Sequence, residues 1–161
     1  MRAWALAGLA LATPADARDS LGVFERWGAF RDARPLRCYA IAQPTRPAPK
    51  NAQWQPFASV AFWPAARQRN QLHIRLSRAR GPQARVVLAI GSQRWPLLAG
   101  GADAWAPDPR ADAAIVAAMR SAESLYVTSR TPAGTLFTDA YRLRGAATAI
   151  DAAALGCARL R

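Results

Sequence analysis

Arginine is the most frequent residue in this sequence that could do chemistry. Six arginines lie between positions 67 and 85, and no acidic residue interrupts them. They are Arg67, Arg69, Arg75, Arg78, Arg80 and Arg85. Because a guanidinium group is always charged and presents several donors to phosphate or carboxylate oxygens, this stretch predicts an anion-binding ribbon. The alternative is a solvated face in a chain that is rich in arginine throughout, since Lys50 is its only lysine.

His73 is the only histidine, so any histidine-dependent catalysis would have to use it. A Ser-His-Asp triad is not favoured, because no G-x-S-x-G segment supplies a nucleophile and sequence alternation places His73 outward on a strand. A Cys38 nucleophile activated by His73 has no further support. Asp103, Asp108 and Asp112 lie close together but lack the glycine turn and closing glutamate of a calcium loop. We therefore expect no catalytic residue, no metal site and no cofactor.

Aromatic side chains could add a second kind of binding chemistry, because bases and sugars stack on indole rings. The candidates are Trp27, Trp54, Trp63, Trp95 and Trp105. A nucleic-acid module of the OB type would interleave them with arginines on one face, and only Trp95, beside Arg94, does so. In a small β domain such rings more often pack in the core and at strand edges. The sequence therefore does not favour nucleic acid as a partner.

The first 17 residues have the three parts of a secretory signal peptide. Arg2 is the positive end, Ala3 to Ala12 is an apolar run, and Ala15-Asp16-Ala17 is a small-x-small cleavage site. A buried N-terminal helix is the alternative. We expect residues 1–17 to be a signal peptide and residues 18–161 to form a single β-rich domain. No later segment approaches the roughly 20 apolar residues that a membrane anchor needs.

Two cysteines and a large positive charge complete the chemical inventory. Cys38 and Cys157 would reach an oxidising compartment on export, so we expect them to form one disulfide. The chain has 22 Lys and Arg residues against 10 Asp and Glu, which gives a formal net charge of +12. Removal of the signal leaves that charge unchanged, because it takes Arg2 and Asp16 together. Such a field attracts anionic partners, including anionic lipid and lipopolysaccharide.

The elements that must position these residues are mainly strands. Period-two alternation and turn residues predict about eight of them. They are Gly22–Arg31, Leu36–Gln43, Phe57–Trp63, Leu72–Ser77, Val86–Ile90, Arg94–Leu98, Leu125–Thr128 and Thr135–Leu143. The first is expected to be one bulged strand. The fourth and fifth are expected to pair as a hairpin, with Arg75 and Arg85 outward and Arg78 and Arg80 beside the connecting loop.

Two helices are expected in the C-terminal half. Asp108 and Pro109 have the types that favour an N-cap and a first helical position, and Ile115, Val116 and Met119 would form the buried stripe. Ala146–Leu155 predicts a second helix, with Gly156 as its C-terminal cap. Strands and helices do not alternate along the chain, and no glycine-rich phosphate loop is present. The fold class is therefore mainly β, an antiparallel β-sandwich or barrel-like domain with two short helices.

Several short motifs between Trp27 and Cys157 carry a resemblance to a known family. They are Trp27–Phe30, Cys38–Pro44, Ala104-Trp105, Ala117–Arg120, Thr138–Gly145 and Gly156-Cys157. In order and spacing they resemble the short, periplasmic branch of the invasion-associated locus B family of exported bacterial proteins. The resemblance implies a β-sandwich-like exported protein, linked in pathogens to host-cell invasion, without accepted catalytic residues. The invasion-linked members carry further cysteines that this chain lacks, so we expect an envelope function rather than a virulence role.

These observations lead to one functional expectation and one alternative. The expectation is a non-catalytic exported protein that is periplasmic, outer-membrane-associated or secreted. It would bind an anionic lipid or lipopolysaccharide surface, or another envelope protein. The alternative is a small periplasmic hydrolase. A binding protein should associate with anionic vesicles in a salt-dependent manner, whereas a hydrolase should lose activity when His73 or a buried carboxylate is neutralised.

Overall fold

The computed structural model describes residues 18–48 and 52–158, so the expected signal peptide, residues 1–17, lies outside the described residues. Ten strands and two helices form in the described ranges. The strands are β1 (Arg18–Phe24), β2 (Trp27–Ala33), β3 (Leu36–Ala42), β4 (Phe57–Trp63), β5 (Gln68–Arg75), β6 (Val86–Ile90), β7 (Gln93–Gly100), β8 (Asp103–Trp105), β9 (Ser124–Arg130) and β10 (Leu136–Arg142). The helices are α1 (Pro109–Met119) and α2 (Ala146–Ala158).

All ten strands belong to one sheet, in the order β1-β2-β3-β4-β5-β8-β7-β6-β9-β10, and every pair is antiparallel. The sheet curls so that its two ends approach each other. The indole N–H of Trp27 donates to the Arg142 carbonyl at 2.8 Å, and the Thr45 N–H donates to the Ala140 carbonyl at 2.7 Å. The expected fold class, a mainly β antiparallel domain with two helices in the C-terminal half, is confirmed.

Helix α2 covers the inner face of β1 to β4. The strands present Ala40, Ala42 and Ala58 to this interface, and these small buried residues leave room for the helix. The Cys38 and Cys157 sulfurs are 2.07 Å apart, with their Cα atoms at 5.8 Å, so the expected disulfide is confirmed. It fixes the C-terminal end of α2 to the beginning of β3.

Helix α1 begins as expected. The Asp108 side chain accepts a hydrogen bond from the Ala111 N–H at 2.8 Å, Pro109 occupies the first turn, and Ile115 is among the buried residues. Further along, the Asp112 carboxylate accepts from the Leu72 N–H at 2.8 Å. Because this carboxyl is buried, its pKa is raised above the ordinary value. Asp112 therefore ties α1 to β5.

Two expectations about single elements are wrong. Gly22–Arg31 is not one bulged strand but parts of β1 and β2, because the chain reverses at Glu25, whose φ is +55°. Gly156 does not cap α2, which continues to Ala158. The helix places Gly156 against Leu21 of β1, where an added Cβ would come within 2.5 Å of a Leu21 methyl carbon. Glycine therefore serves close helix–strand packing here rather than helix termination.

The expected hairpin of Leu72–Ser77 with Val86–Ile90 is also wrong. Strand β5 pairs with β4 and β8, whereas β6 pairs with β7 and β9. The three-residue strand β8 pairs with both β5 and β7 and thus lies between them. Strands β8 and β7 therefore lie between β5 and β6 in the sheet, although β5 and β6 are consecutive in sequence.

Candidate anion-binding site

Strand β5 divides the six candidate arginines between two ends of the molecule. Arg67 and Arg69 lie at its beginning, Arg75 is its last residue, and Arg78, Arg80 and Arg85 lie in the connection from its end to β6. Eight extended residues span about 26 Å. That is roughly three times the Debye length at physiological salt, which is about 8 Å. The two groups therefore make separate fields rather than one ribbon.

Arg75 does point outward, but an internal ion pair occupies its guanidinium group. Its Nε and one terminal nitrogen donate to the two Asp103 carboxylate oxygens at 2.9 and 2.8 Å, and His73 Nε2 lies 2.7 Å from the same carboxylate. The hydrogen bond with Asp103 raises the pKa of Arg75. Burial alone would raise the pKa of Asp103, but hydrogen bonds from Arg75 and His73 outweigh burial and hold it below the ordinary value.

Arg80 has a structural role as well. Its guanidinium group donates to the backbone carbonyls of Gly81, Pro82, Ala84 and Ala99 at 2.9 to 3.1 Å, so it holds the β5–β6 connection in shape. Arg75 and Arg80 are therefore engaged within the protein and do not belong to the expected anion-binding ribbon as free guanidinium groups. Arg78 and Arg85 are exposed and form no ion pair within the described ranges.

Three arginines at the opposite end are exposed and have no acidic partner in the part of the chain that the structure describes. Arg34 lies in the β2–β3 turn, and Arg67 and Arg69 lie at the β4–β5 turn. The register brings these turns to one end, since Cys38 near the start of β3 lies opposite Phe62 near the end of β4. Two strand spacings, about 10 Å, separate the turns. We call Arg34, Arg67 and Arg69 the basic end.

Further charges beside the basic end are paired. Arg18 and Arg37 both donate to the Asp32 carboxylate, and Arg31 donates to Asp19. Burial alone would raise the pKa of Asp32, but the two arginine hydrogen bonds outweigh it and lower that pKa. Because Asp32 neutralises only one of its two arginine partners, these pairs add to the positive field rather than cancel it.

A groove of about 750 Å³ opens at the basic end, between the β4–β5 turn and the C-terminal end of α2. Its apolar lining includes Phe62, Trp63, Pro64 and Leu155, and its polar lining includes Arg67 and Arg69. The disulfide lies beside this groove, because it holds the end of α2 next to β3 and its Cys157 is part of the lining. Leu155 is 58% exposed, so an apolar side chain faces the solvent there. The groove thus combines positive charge with apolar surface.

The sign of the potential in the groove follows from the groups around it. The C-terminal end of α2 carries about half a negative charge from its carbonyl groups, and no basic residue lies in its last turn. Arg67 and Arg69 carry two full positive charges. The sum over these described groups stays positive, so this lining favours anions.

Arg67 has an unusual backbone conformation. Its φ is +52°, in the left-handed region, and its N–H donates to the Pro64 carbonyl at 3.1 Å to close the turn. A residue with a Cβ loses about 1 to 2 kcal/mol in this region relative to glycine. A glycine at this position would relieve that strain and remove the charge at the same time.

His73 and its neighbours form a second cluster of interacting side chains elsewhere on the sheet. The imidazole ring stacks on Trp105 with centroids 5.1 Å apart, and the Phe57 ring meets it edge-on at 5.0 Å. Ser59 lies opposite His73 in the register, but its hydroxyl donates to the His73 carbonyl at 3.4 Å and the residue is 7% exposed. The cluster therefore provides a His–Asp pair without a serine hydroxyl bonded to the imidazole.

The tryptophans are distributed among several roles. The indole N–H groups of Trp27, Trp54 and Trp63 donate to Arg142, Leu76 and Gln71 respectively. Trp27 is fully buried, whereas Trp95 and Trp105 are half-buried at β7 and β8. This distribution follows the expectation of core and edge packing.

The sequence indicated Arg67 and Arg69 but missed the residues that complete the groove. Leu155 was expected only as the last residue of the second helix, and Arg34 was not singled out. The consecutive hairpins of β2 to β5 place the two turns together, so strand order alone could have associated Arg34 with Arg67. The approach of α2 could not be read from local pattern.

The chain was compared with models of known protein families, with curated proteins and with solved structures, and no match was found. Neither of the two helices in the described ranges has the length and apolar character to cross a membrane. Among residues 18–48 and 52–158, no group of three or more His, Cys, Asp or Glu side chains is arranged to hold a metal ion. Fold and groove together define a disulfide-linked, mainly β domain with a basic end.

Proposed function

We propose that this protein is a non-catalytic envelope protein that binds an anionic lipid surface through its basic end, as a periplasmic or outer-membrane-associated relative of the invasion-associated locus B proteins. One observation carries the proposal. Arg34, Arg67 and Arg69 are exposed at one end of the sheet, and no acidic side chain in the described part of the chain pairs with them. The disulfide supports a place in an oxidising compartment.

Charge placement supports this proposal better than total charge does. A net charge of +12 spread evenly would give weak attraction in every direction. The arginines of the basic end lie about a Debye length apart, so their fields overlap, and the apolar groove beside them lowers the local dielectric constant. The same end can therefore contact headgroup phosphates with its arginines and the interfacial region with apolar side chains.

Binding to vesicles tests the proposal. The protein is mixed with vesicles of phosphatidylcholine alone or with 30 mol% phosphatidylglycerol, and the bound fraction is measured by flotation at about 0.05 and 0.5 M NaCl. We expect binding to the anionic vesicles at low salt and its loss at high salt, because added salt shortens the Debye length. Equal binding to both vesicle types, or no binding at low salt, would overturn the proposal.

A small hydrolase is the second candidate, and the 2.7 Å contact between His73 and Asp103 favours it. Arg75 engages the same carboxylate, and the Ser59 hydroxyl does not contact the imidazole, so no nucleophile among the described side chains bonds to His73. Ester and amide substrates incubated with the purified protein test this alternative. Hydrolysis that disappears in His73→Asn but persists in Trp95→Phe would favour the hydrolase over the binding protein.

A further inference from the structure

We propose that the groove between the β4–β5 turn and α2 binds the alkyl chain of a single anionic amphiphile, whose phosphate group is held by Arg67 and Arg69. This inference rests on the proposed function and deepens it. Surface binding needs only charge at the basic end, whereas the groove offers a place for hydrocarbon as well. The ligand class is therefore a phosphate ester that carries a hydrocarbon chain, as membrane lipids do.

The lining of the groove is divided between the two parts of such a ligand. Phe62, Trp63 and Leu155 supply apolar surface, and Arg67 and Arg69 lie at the β4–β5 turn. The Trp63 indole N–H is already bonded to the Gln71 side-chain oxygen at 2.7 Å, so this ring offers its apolar surface rather than a free donor. A volume of about 750 Å³ lies within the range of small-molecule sites, about 300 to 1,000 Å³.

Charge complementarity selects the headgroup. Arg67 and Arg69 have no acidic partner in the described ranges, and a guanidinium pair matches the several oxygens of one phosphate group. The negative end of the α2 dipole on the opposite wall disfavours a second phosphate deeper in the groove. A ligand with one phosphate beside Arg67 and Arg69 and a hydrocarbon chain beside the end of α2 matches both walls of the groove.

Leu155 is the residue that distinguishes hydrocarbon binding from surface binding. It is 58% exposed and lines the groove, and it stands on a helix where glutamine has a similar helix propensity. Leu155→Gln therefore removes apolar surface with little effect on folding. Leu136→Gln is the matched control, because Leu136 is 57% exposed on β10 and does not line the groove.

Alkyl phosphates of increasing length test the inference directly. Octyl, decyl and dodecyl phosphate are titrated below their micelle concentrations, and the dissociation constant is measured by isothermal titration calorimetry. Each methylene that enters the groove should improve affinity about fourfold. Leu155→Gln should flatten this dependence on chain length, whereas Leu136→Gln should keep it. Arg67→Gly with Arg69→Gln should weaken all three ligands by a similar factor.

The outcomes separate this inference from the proposed function. If affinity does not change with chain length while salt-dependent vesicle binding persists, the groove does not take hydrocarbon and only this inference is overturned. If the protein forms a Leu155-dependent dimer in sedimentation and takes up no alkyl phosphate, the groove belongs to a second copy of the chain and the inference is again overturned. If vesicle binding itself is absent, the proposed function is overturned, and so is this inference, because it rests on that function.

Discussion

Removal of the Cys38–Cys157 bond should destabilise the protein strongly. The bond closes a loop with a sequence separation of 119 residues. In the chain-entropy model, such a loop lowers the entropy of the unfolded chain by about 16 cal/mol/K, which is about 5 kcal/mol at 25 °C. For a chain of this length, 1 kcal/mol shifts Tm by about 3 °C. We therefore expect Cys157→Ala to lower Tm by about 15 °C under oxidising conditions.

Thermal unfolding followed by circular dichroism, with and without a reducing agent, measures this effect. The reduced wild-type protein keeps both sulfurs, so comparing it with the oxidised protein isolates the bond from the loss of a buried side chain. The variant and the reduced wild type should unfold at similar temperatures. A variant as stable as the oxidised wild type would refute the reasoning, because it would mean that packing alone holds α2 against β3.

Three further predictions concern buried and strained groups. Asp139 is 5% exposed, burial raises its pKa, and its carboxylate accepts from the Ser77 N–H at 2.8 Å. Asp139→Asn keeps an acceptor oxygen for the Ser77 N–H and should match or exceed wild-type stability at pH 7. Asp139→Ala loses the acceptor and should lose about 1 to 3 kcal/mol of stability in urea unfolding. Equal losses in both variants would contradict this prediction. A Cβ on Gly145, whose φ is +86°, would collide with a backbone carbonyl at the end of β1. Gly145→Ala should therefore cost at least about 2 kcal/mol in the same assay, more than Gly101→Ala, which meets only backbone strain at φ +58°. The pKa of Asp103 is lowered in the folded protein, so its contribution to stability is present above the unfolded pKa and is lost as pH falls. Asp103→Asn should have a lower free energy of unfolding than the wild type at pH 7, and this difference should shrink below about pH 4. A difference that stays constant with pH would refute this prediction.

Local sequence patterns predicted much of the sheet. Alternation along Leu72–Arg75 and Val86–Ile90 is confirmed, because each strand has one buried face and side chains alternate across it. The partner of each strand was harder to predict. Strand β8 has only three residues, Asp103–Trp105, too few for a period-two pattern, yet it is the strand that pairs with β5 in place of β6.

The candidate site was predictable only in part, for a similar reason. Period-two alternation correctly predicted that Arg75 points outward. Its partner Asp103, however, lies 28 residues away on β8, a strand that this alternation did not reveal. The role of Arg80 was not predicted, because no residue pattern indicates that its guanidinium group donates to the backbone carbonyls of its own loop and of β7. The groove beside Arg67 depends on the approach of α2, which is a tertiary contact rather than a local one.

Flotation with two matched double variants tests the central claim most directly. Arg67→Gly with Arg69→Gln removes two charges from the basic end, and Arg78→Gln with Arg85→Gln removes two exposed charges from the opposite end. Each arginine near an anionic membrane surface contributes about 1 kcal/mol, so losing two at the contact should weaken binding about thirtyfold. With melting temperatures checked first, we expect this loss for the Arg67 and Arg69 variant and much less for the other. Equal weakening of both variants would contradict the account, since it would assign binding to total charge rather than to the basic end.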